Sequence, residues 1–252
     1  MSAIEQQKIA KVSDLLKNSK YAVCLTGAGV STASGIPDFR SPGKGIWEKV
    51  NPIEVTSIEA FRENPARFYH FYVPRIEELS RVSPNQAHYA LARLESAGYL
   101  KKLITQNIDN LHQKAGSQNV LEIHGNLSQA ICAKCGKKIS SELLLGKIEN
   151  SVQRIPFCDC GGVFKPDIVL FGEMLSNLDE AVSEASRADL FLAIGSSLQV
   201  SPANLLPEYS LARQGKLVII NYMETHLDHR AAVVAREDIG TFLTKVCKYL
   251  GI

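Results

Sequence analysis

Residues 21–40, YAVCLTGAGVSTASGIPDFR, decide the fold class. Tyr21 to Leu25 is a short apolar run of the kind buried on both faces of a sheet, and Gly27-Ala28-Gly29 stands where such a strand turns into a helix. Glycines at that turn let backbone amides approach a pyrophosphate, and a helix N-terminus favours its negative charge. The segment therefore predicts a dinucleotide-type α/β unit; a plain tight turn is the alternative reading of G-x-G alone. The third glycine of G-x-G-x-x-G is missing, its place being taken by Thr32. Beyond it, Gly35 and Pro37 predict loop rather than continuing helix, and Asp38 and Arg40 flank Phe39 with opposite charges. An ordinary dehydrogenase loop lacks that tail.

The rest of the chain repeats the strand–helix alternation. Strands are predicted at 21–25, 102–105, 119–123, 167–171, 190–194 and 216–221, and helices at 85–97, 108–115, 177–186, 202–213 and 238–249. Near-continuously apolar strands spaced by helices mean a parallel sheet covered on both faces, a Rossmann-like arrangement. Ligands of such sheets bind beyond the carboxyl ends of the strands. Gly27, Gln106 to Asp109, His124-Gly125, Gly172-Glu173, Gly195-Ser196-Ser197 and Asn221 all fall there. Two stretches leave the alternation: 41–84, rich in aromatics and proline, and 126–164, which carries four cysteines. The expected organisation is a large domain of 1–40, 85–125 and 165–252 and a small one of 41–84 and 126–164, with a cleft between them for a second substrate.

At 252 residues, 21% charged and net charge +2, the composition is that of a soluble globular protein with no strong pull toward nucleic acid or acidic membrane. The first twenty residues form an amphipathic, mixed-charge helix rather than a signal peptide, and no apolar run approaches a bilayer span, so the expected compartment is the cytoplasm. Cysteines are then expected as thiols. Cys132-x-x-Cys135 and Cys158-x-Cys160 have the spacing of a structural four-cysteine zinc site, with glycines 136, 161 and 162 at the turns. Disulfides are the rival reading, and the absence of any export signal weighs against them. Four sulfurs leave no open position for water, so catalysis must lie elsewhere. Cys24 and Cys247 are expected to pack in the core strand and the C-terminal helix.

GAGVSTASGIPDFR, TQNIDNLH at 105–112, Glu122-Ile-His124-Gly125, the four cysteines, PDIVLFGE at 166–173, GSSLQVSPA at 195–203 and Asn221 stand in an order that resembles the sirtuins, NAD-dependent protein-lysine deacylases, over about residues 10–250. The resemblance implies that NAD is consumed as an ADP-ribose donor. His124 matches the general base, and its ordinary pKa near 6.5 suits proton abstraction near neutrality. Asn107 and Asp109 match the polar residues of a nicotinamide pocket, where a carboxamide needs a donor and an acceptor; Asp38 and the Ile36 backbone match its other wall. Phe39 matches the shield of the reactive ribose face and Arg40 a residue steadying the loop and phosphates. By the same resemblance the Gly27, Ala28 and Gly29 segment approaches the diphosphate, Gln106 the nicotinamide ribose, Gly195, Ser196 and Ser197 the adenosine phosphate, Asn221 and Glu224 the adenosine ribose, and Asp238 or Ile239 the adenine. Substrate peptide is expected to add as a strand between Val169, Phe171 and Gly172 on one side and Leu198, Gln199 and Val200 on the other.

The acyl group is less constrained. Tyr72 and Arg75 stand as Y-x-x-R, similar to the pair that reads acidic acyl groups in desuccinylating and demalonylating sirtuins, and an Arg fork with a phenol is a sensible carboxylate receptor. Pro74 is expected to disturb a helix there, and the SPGKG run at 41–45 looks more like plain deacetylases. Core packing of Tyr72 and a solvated Arg75 is the plainer alternative. The expectation is a monomeric deacetylase acting on acylated-lysine proteins. Mono-ADP-ribosyl transfer would use the same NAD pocket. An oxidoreductase would need an acidic residue ~20 positions past the glycines on a second strand, where this chain has loop. A nucleic-acid-binding zinc module would need a basic stripe that the sequence lacks.

Overall fold

The strands form two sheets of opposite character. The computed structural model describes residues 2–37 and 51–252. Its strands are β1 Ala22–Thr26, β2 Lys102–Thr105, β3 Val120–Glu122, β4 Gly125–Cys132, β5 Lys138–Ser140, β6 Phe164–Ile168, β7 Leu190–Ile194, β8 Lys216–Ile220 and β9 Val233–Ala235. Six of them make a parallel sheet in the order β3-β2-β1-β7-β8-β9, and the other three an antiparallel sheet in the order β5-β4-β6. In the parallel sheet the order runs outward from β1 to one side and from β7 to the other. The crevice of a doubly wound fold therefore opens between the ends of β1 and β7.

The helices are α1 Ala3–Asn18, α2 Pro52–Thr56, α3 Ile58–Glu63, α4 Pro65–Arg81, α5 Gln86–Ser96, α6 Leu111–Lys114, α7 Ser141–Glu149, α8 Leu178–Arg187, α9 Leu206–Leu211 and α10 Ile239–Leu250. Alternation along the strands sends side chains to both faces. Ala22 and Cys24 join α1, α5 and α10 through Val12, Leu16, Leu91, Phe242 and Val246. Val23 and Leu25 join α8 and α9 on the other face through Ala181, Ala185 and Leu206. Central strands such as β1 and β7 are buried throughout, which is why they read as unbroken apolar runs. Cys24 and Cys247 are buried thiols, each pushed above its ordinary pKa by desolvation.

Three expectations need correction. The predicted strand at 167–171 is not in the parallel sheet: β6 begins at Phe164 and pairs antiparallel with β4. Its alternating burial and Pro166 fit an edge strand, where a missing N–H breaks no ladder. β9, only three residues long, supplies the sixth parallel strand instead. The glycine turn leads into two 3₁₀ turns, Ala28–Val30 and Thr32–Ser34, and not into an α-helix, because Gly35 at φ +91° closes the second. Finally, α4 runs through Pro74, which lies on the exposed face of the helix. In the turn that follows, Arg75 Nη1 donates to Phe71 O at 2.6 Å.

A third apolar cluster joins the antiparallel sheet to α3, α4 and α7. Phe61, Phe68, Tyr69 and Tyr72 pack with Leu144, Phe164, Leu170 and the cysteines 132 and 158. Phe68 stacks on Tyr72 with ring centroids 4.4 Å apart and meets Phe61 edge-on at 5.2 Å.

Candidate active site

A cavity of about 1180 Å³ lies over the carboxyl ends of β1, β2 and β7 and reaches α4 and β6. Pockets for drug-sized ligands run to roughly 1,000 Å³, so this one has room for a dinucleotide and an inserted side chain together. At its floor two loops interlock. Gly27 N–H donates to Ile194 O (3.1 Å) and Gly29 N–H to Gly195 O (2.9 Å). A Cβ on Gly27 would lie 2.8 Å from Gly195 O, and one on Gly29 2.8 Å from Gly195 Cα. Glycine is thus required by close approach of two backbones, with Ala28 left facing the cavity.

Gln106 ties this floor to His124. Its side-chain oxygen accepts from Ser196 Oγ (2.8 Å), and its backbone carbonyl is 2.8 Å from His124 Nδ1. A carbonyl only accepts, so Nδ1 must carry the proton and Nε2 keeps the lone pair. Burial lowers the pKa of His124, and the bond to Gln106 opposes that shift. Burial thus favours the neutral imidazole, and the Gln106 carbonyl selects the tautomer whose Nε2 can take a proton.

Asn107 and Asp109 are both buried at the cavity wall. Asn107 Nδ2 donates to Gly27 O and to Ser31 Oγ, both at 3.1 Å. Ser31 Oγ in turn donates to Asp109 Oδ2 at 2.6 Å, and Asp109 Oδ1 accepts from Leu111 N–H at 2.9 Å. In the sequence Ser31 carries little signal, being a small hydroxylated residue two places past the second glycine.

Two further histidines lie under this wall. His88 Nδ1 accepts from Asn85 N–H (3.2 Å) and its Nε2 faces Ser31 Oγ (3.4 Å). His112 Nε2 meets Thr26 Oγ1 at 2.9 Å, and its ring lies 4.9 Å from that of His88. Burial lowers the pKa of His88 to about 4, with Asp109 opposing, and that of His112 to about 3, with His88 adding to the drop. The folded values lie below the unfolded 6.5, so between these limits the unfolded chain binds more protons and stability rises with pH. Acidification from the ordinary 6.5 down toward pH 4 should progressively destabilise the fold, by at most about 1.4 kcal/mol per pH unit for each histidine. Denaturant melts across that range should show the slope, and His112→Phe should remove its share; an unchanged slope would mean that His112 is not held neutral.

The remaining candidates divide. Ser197, Asn221, Asp238 and Ile239 line the cavity, although the Asn221 amide donates to Met223 O (2.8 Å) and Asp238 caps α10 by accepting from Thr241 N–H (2.8 Å). Glu224 is exposed and outside the lining, where Tyr222 and Met223 take its place because the turn after β8 folds back on Asn221. Val169, Phe171, Gly172 and Val200 border the cavity, but the Leu198 side chain is buried in the core at φ +53°, leaving only its backbone for a ligand. Tyr72 and Arg75 share a wall, one helical turn apart. Asp38, Phe39 and Arg40 lie outside the described residues.

The Sir2 family model matches residues 27–202. The NAD-dependent protein deacetylase of Sulfurisphaera tokodaii is 50% identical over 240 residues, 95% of either chain. The chain belongs to the Sir2 family. Among solved structures, Sir2 with a deacetylated peptide and 3′-O-acetyl ADP ribose matches this sirtuin with a TM-score of 0.92 at 43% identity, covering 97% of this chain and 99% of that one. Sir2 bound to acetylated peptide matches with a TM-score of 0.89 at 42% identity over the same shares.

This sirtuin also has a built metal site. The Sγ atoms of Cys132, Cys135, Cys158 and Cys160 all lie within 4.8 Å of one another, with Cys132–Cys160 at 3.5 Å and Cys135–Cys158 at 3.8 Å. Zn–S bonds of ~2.3 Å in a tetrahedron put sulfurs ~3.8 Å apart, so the four thiols fit a zinc ion and are too distant for disulfides. Gly162 is packed into the site: a Cβ there would meet Cys132 Sγ at 2.8 Å.

Proposed function

We propose that this sirtuin is an NAD-dependent protein-lysine deacetylase in which His124 is the general base. The observation that carries the reading is the Nδ1–Gln106 carbonyl bond, which leaves Nε2 as the proton acceptor at the cavity. NAD supplies an ADP-ribosyl group whose bond to nicotinamide breaks as the acetyl oxygen attacks, and that group ends as the acetyl acceptor. The residues do the rest. Asn107 and Asp109, locked through Ser31, orient the carboxamide end. Gly27 to Gly29 and Gly195 bring backbone close to the diphosphate. Gln106, its side chain fixed by Ser196 Oγ, holds the nicotinamide ribose near His124 Nε2, which withdraws a hydroxyl proton. Ser197, Asn221, Asp238 and Ile239 take the adenosine half, with Tyr222 and Met223 in place of Glu224 at its rim.

The acetyl-lysine peptide adds as a strand to Val169 and Gly172 and to the backbone of 198–200. On this reading the chain divides into a large NAD-binding domain (1–40, 85–125, 165–252) and a small zinc-holding one (41–84, 126–164), a boundary that cuts β6, whose residues 164–168 pair in the antiparallel sheet. Among the described residues no helix is long and apolar enough to cross a membrane. The reading is completed by a cytoplasmic monomer with no direct nucleic-acid role.

Desuccinylation or demalonylation is the second reading, favoured by Tyr72 and Arg75 lining one wall. Against it, Arg75 is already engaged: its guanidinium lies 3.4 Å over the Phe71 ring and donates to Phe71 O. One lysine peptide carrying acetyl, succinyl or malonyl should be compared with NAD present. Acetyl should be removed at least ~10-fold faster, with one nicotinamide released per lysine freed. Preference for the acids, lost in Arg75→Met, would reverse the assignment, and nicotinamide release without acyl loss would point to ADP-ribosyl transfer.

A further inference from the structure

The segment between β6 and α8 is held by a charge pair that the chemistry above does not use. Lys165 has only 12% of its side chain exposed. Its Nζ donates to Ile168 O at 2.8 Å and to Glu173 Oε2 at 2.6 Å. The same carboxylate oxygen accepts from Leu170 N–H at 2.9 Å, and Glu173 N–H donates back to Leu170 O at 3.0 Å. The pair therefore staples both ends of residues 168–173. An exposed ion pair is worth little, but this one is mostly withdrawn from water and shares its atoms with the backbone.

Within the staple, the backbone of one face is consumed. Val169 N–H donates to the carbonyl of His124 (2.9 Å), Phe171 N–H to Thr56 O (3.0 Å), and Phe171 O accepts from Ile58 N–H (3.0 Å). Among the described residues no partner is found for Val169 C=O or for the backbone of Gly172, and both residues line the cavity. The general base and the candidate peptide edge are thus one hydrogen bond apart. Any slip of 169–172 would move the peptide relative to His124 Nε2.

We propose that Lys165 and Glu173 are positioning residues for the acyl-lysine peptide, their ion pair fixing 169–172 as a half-strand in register with His124. This rests on the strand-addition reading of the peptide site. In steady-state kinetics of the full chain, Lys165→Met should raise the acetyl-peptide KM about 10-fold with the NAD KM within about 2-fold of the parent, since misplacing a substrate edge does not touch the NAD floor. Lys165→Arg should restore the peptide KM to within about 2-fold. Glu173→Gln should raise it in the same direction, and the double variant should be no worse than the worse single, as for two members of one interaction. An unchanged peptide KM in Lys165→Met overturns the proposal. So does an equal rise in both KM values with a lowered melting temperature, which would make the pair merely structural. If Lys165→Met does not fold, an unchanged peptide KM in Glu173→Gln overturns it instead. A parent enzyme that leaves acetyl-peptide untouched would remove the deacetylase reading itself, and the positioning role with it.

Discussion

Replacing His124 with alanine should lower deacetylation by about 10³-fold or more while leaving the fold and most NAD affinity in place. The size follows from the task, because a positioned general base contributes roughly 10² to 10⁴ and no other imidazole can substitute. His88 and His112 are buried behind the Asn107–Asp109 wall, with His88 Nδ1 and His112 Nε2 engaged to Asn85 and Thr26. The small effect on stability follows from packing. His124 belongs to none of the three apolar clusters, and among the described residues its side chain makes one bond, to Gln106, worth about 1 kcal/mol. Nicotinamide release and peptide deacetylation measured side by side decide the matter; more than a tenth of parental turnover in His124→Ala would remove the residue from its role. The pH profile gives a second check. The basic form is the active one, so the rate should rise with pH. Because burial lowers the His124 pKa, the acid limb should fall below the ordinary 6.5.

Much of this was legible because the chemistry sits where strands end. Gln106, Asn107, Asp109, His124 and Gly195 each follow an apolar run short enough to be a strand, and such runs mark their own carboxyl ends. The zinc site was legible from spacing alone, its ligands lying on two tight turns. Non-local pairing was not. Nothing local in Ser31 announces that it bridges Asn107 and Asp109, and nothing in Lys165 announces Glu173, since those contacts exist only after the strands are ordered. Run length also misled. DIVLF at 167–171 reads as one buried strand, yet only Asp167 and Ile168 belong to β6 of the antiparallel sheet, while Val169 to Phe171 peel away toward His124 and Thr56. In the opposite sense, Val233–Ala235 was too short to register although it completes the parallel sheet. Pro74 misleads too: its missing N–H predicts a disturbed helix, yet α4 runs through it with the ring on the exposed face.

Removing zinc should have the second large effect, and it should reach the active site through β6. Cys132 ends β4 and pairs with Phe164 at the start of β6, and both cysteines 132 and 158 are buried against Phe164, Tyr69 and Leu144. The metal therefore closes an apolar cluster as well as binding four thiolates. Without it, four sulfurs crowd within 4.8 Å of one another with no metal to hold them together. Structural zinc contributes on the order of 10 kcal/mol in small domains, and even a third of that would lower the melting temperature by roughly 10 °C in a chain of this size. β6 continues directly into Val169 to Gly172, so loosening its pairing with β4 should cost peptide binding before the parallel sheet melts. Dialysis against a chelator, with metal content measured, should therefore lower the melting temperature and raise the peptide KM while NAD affinity changes least, and restoring zinc should reverse both. Cys132→Ala should do the same irreversibly. A metal-free protein with the parental melting curve and parental peptide KM would show that the four thiols neither hold the antiparallel sheet nor support the substrate edge.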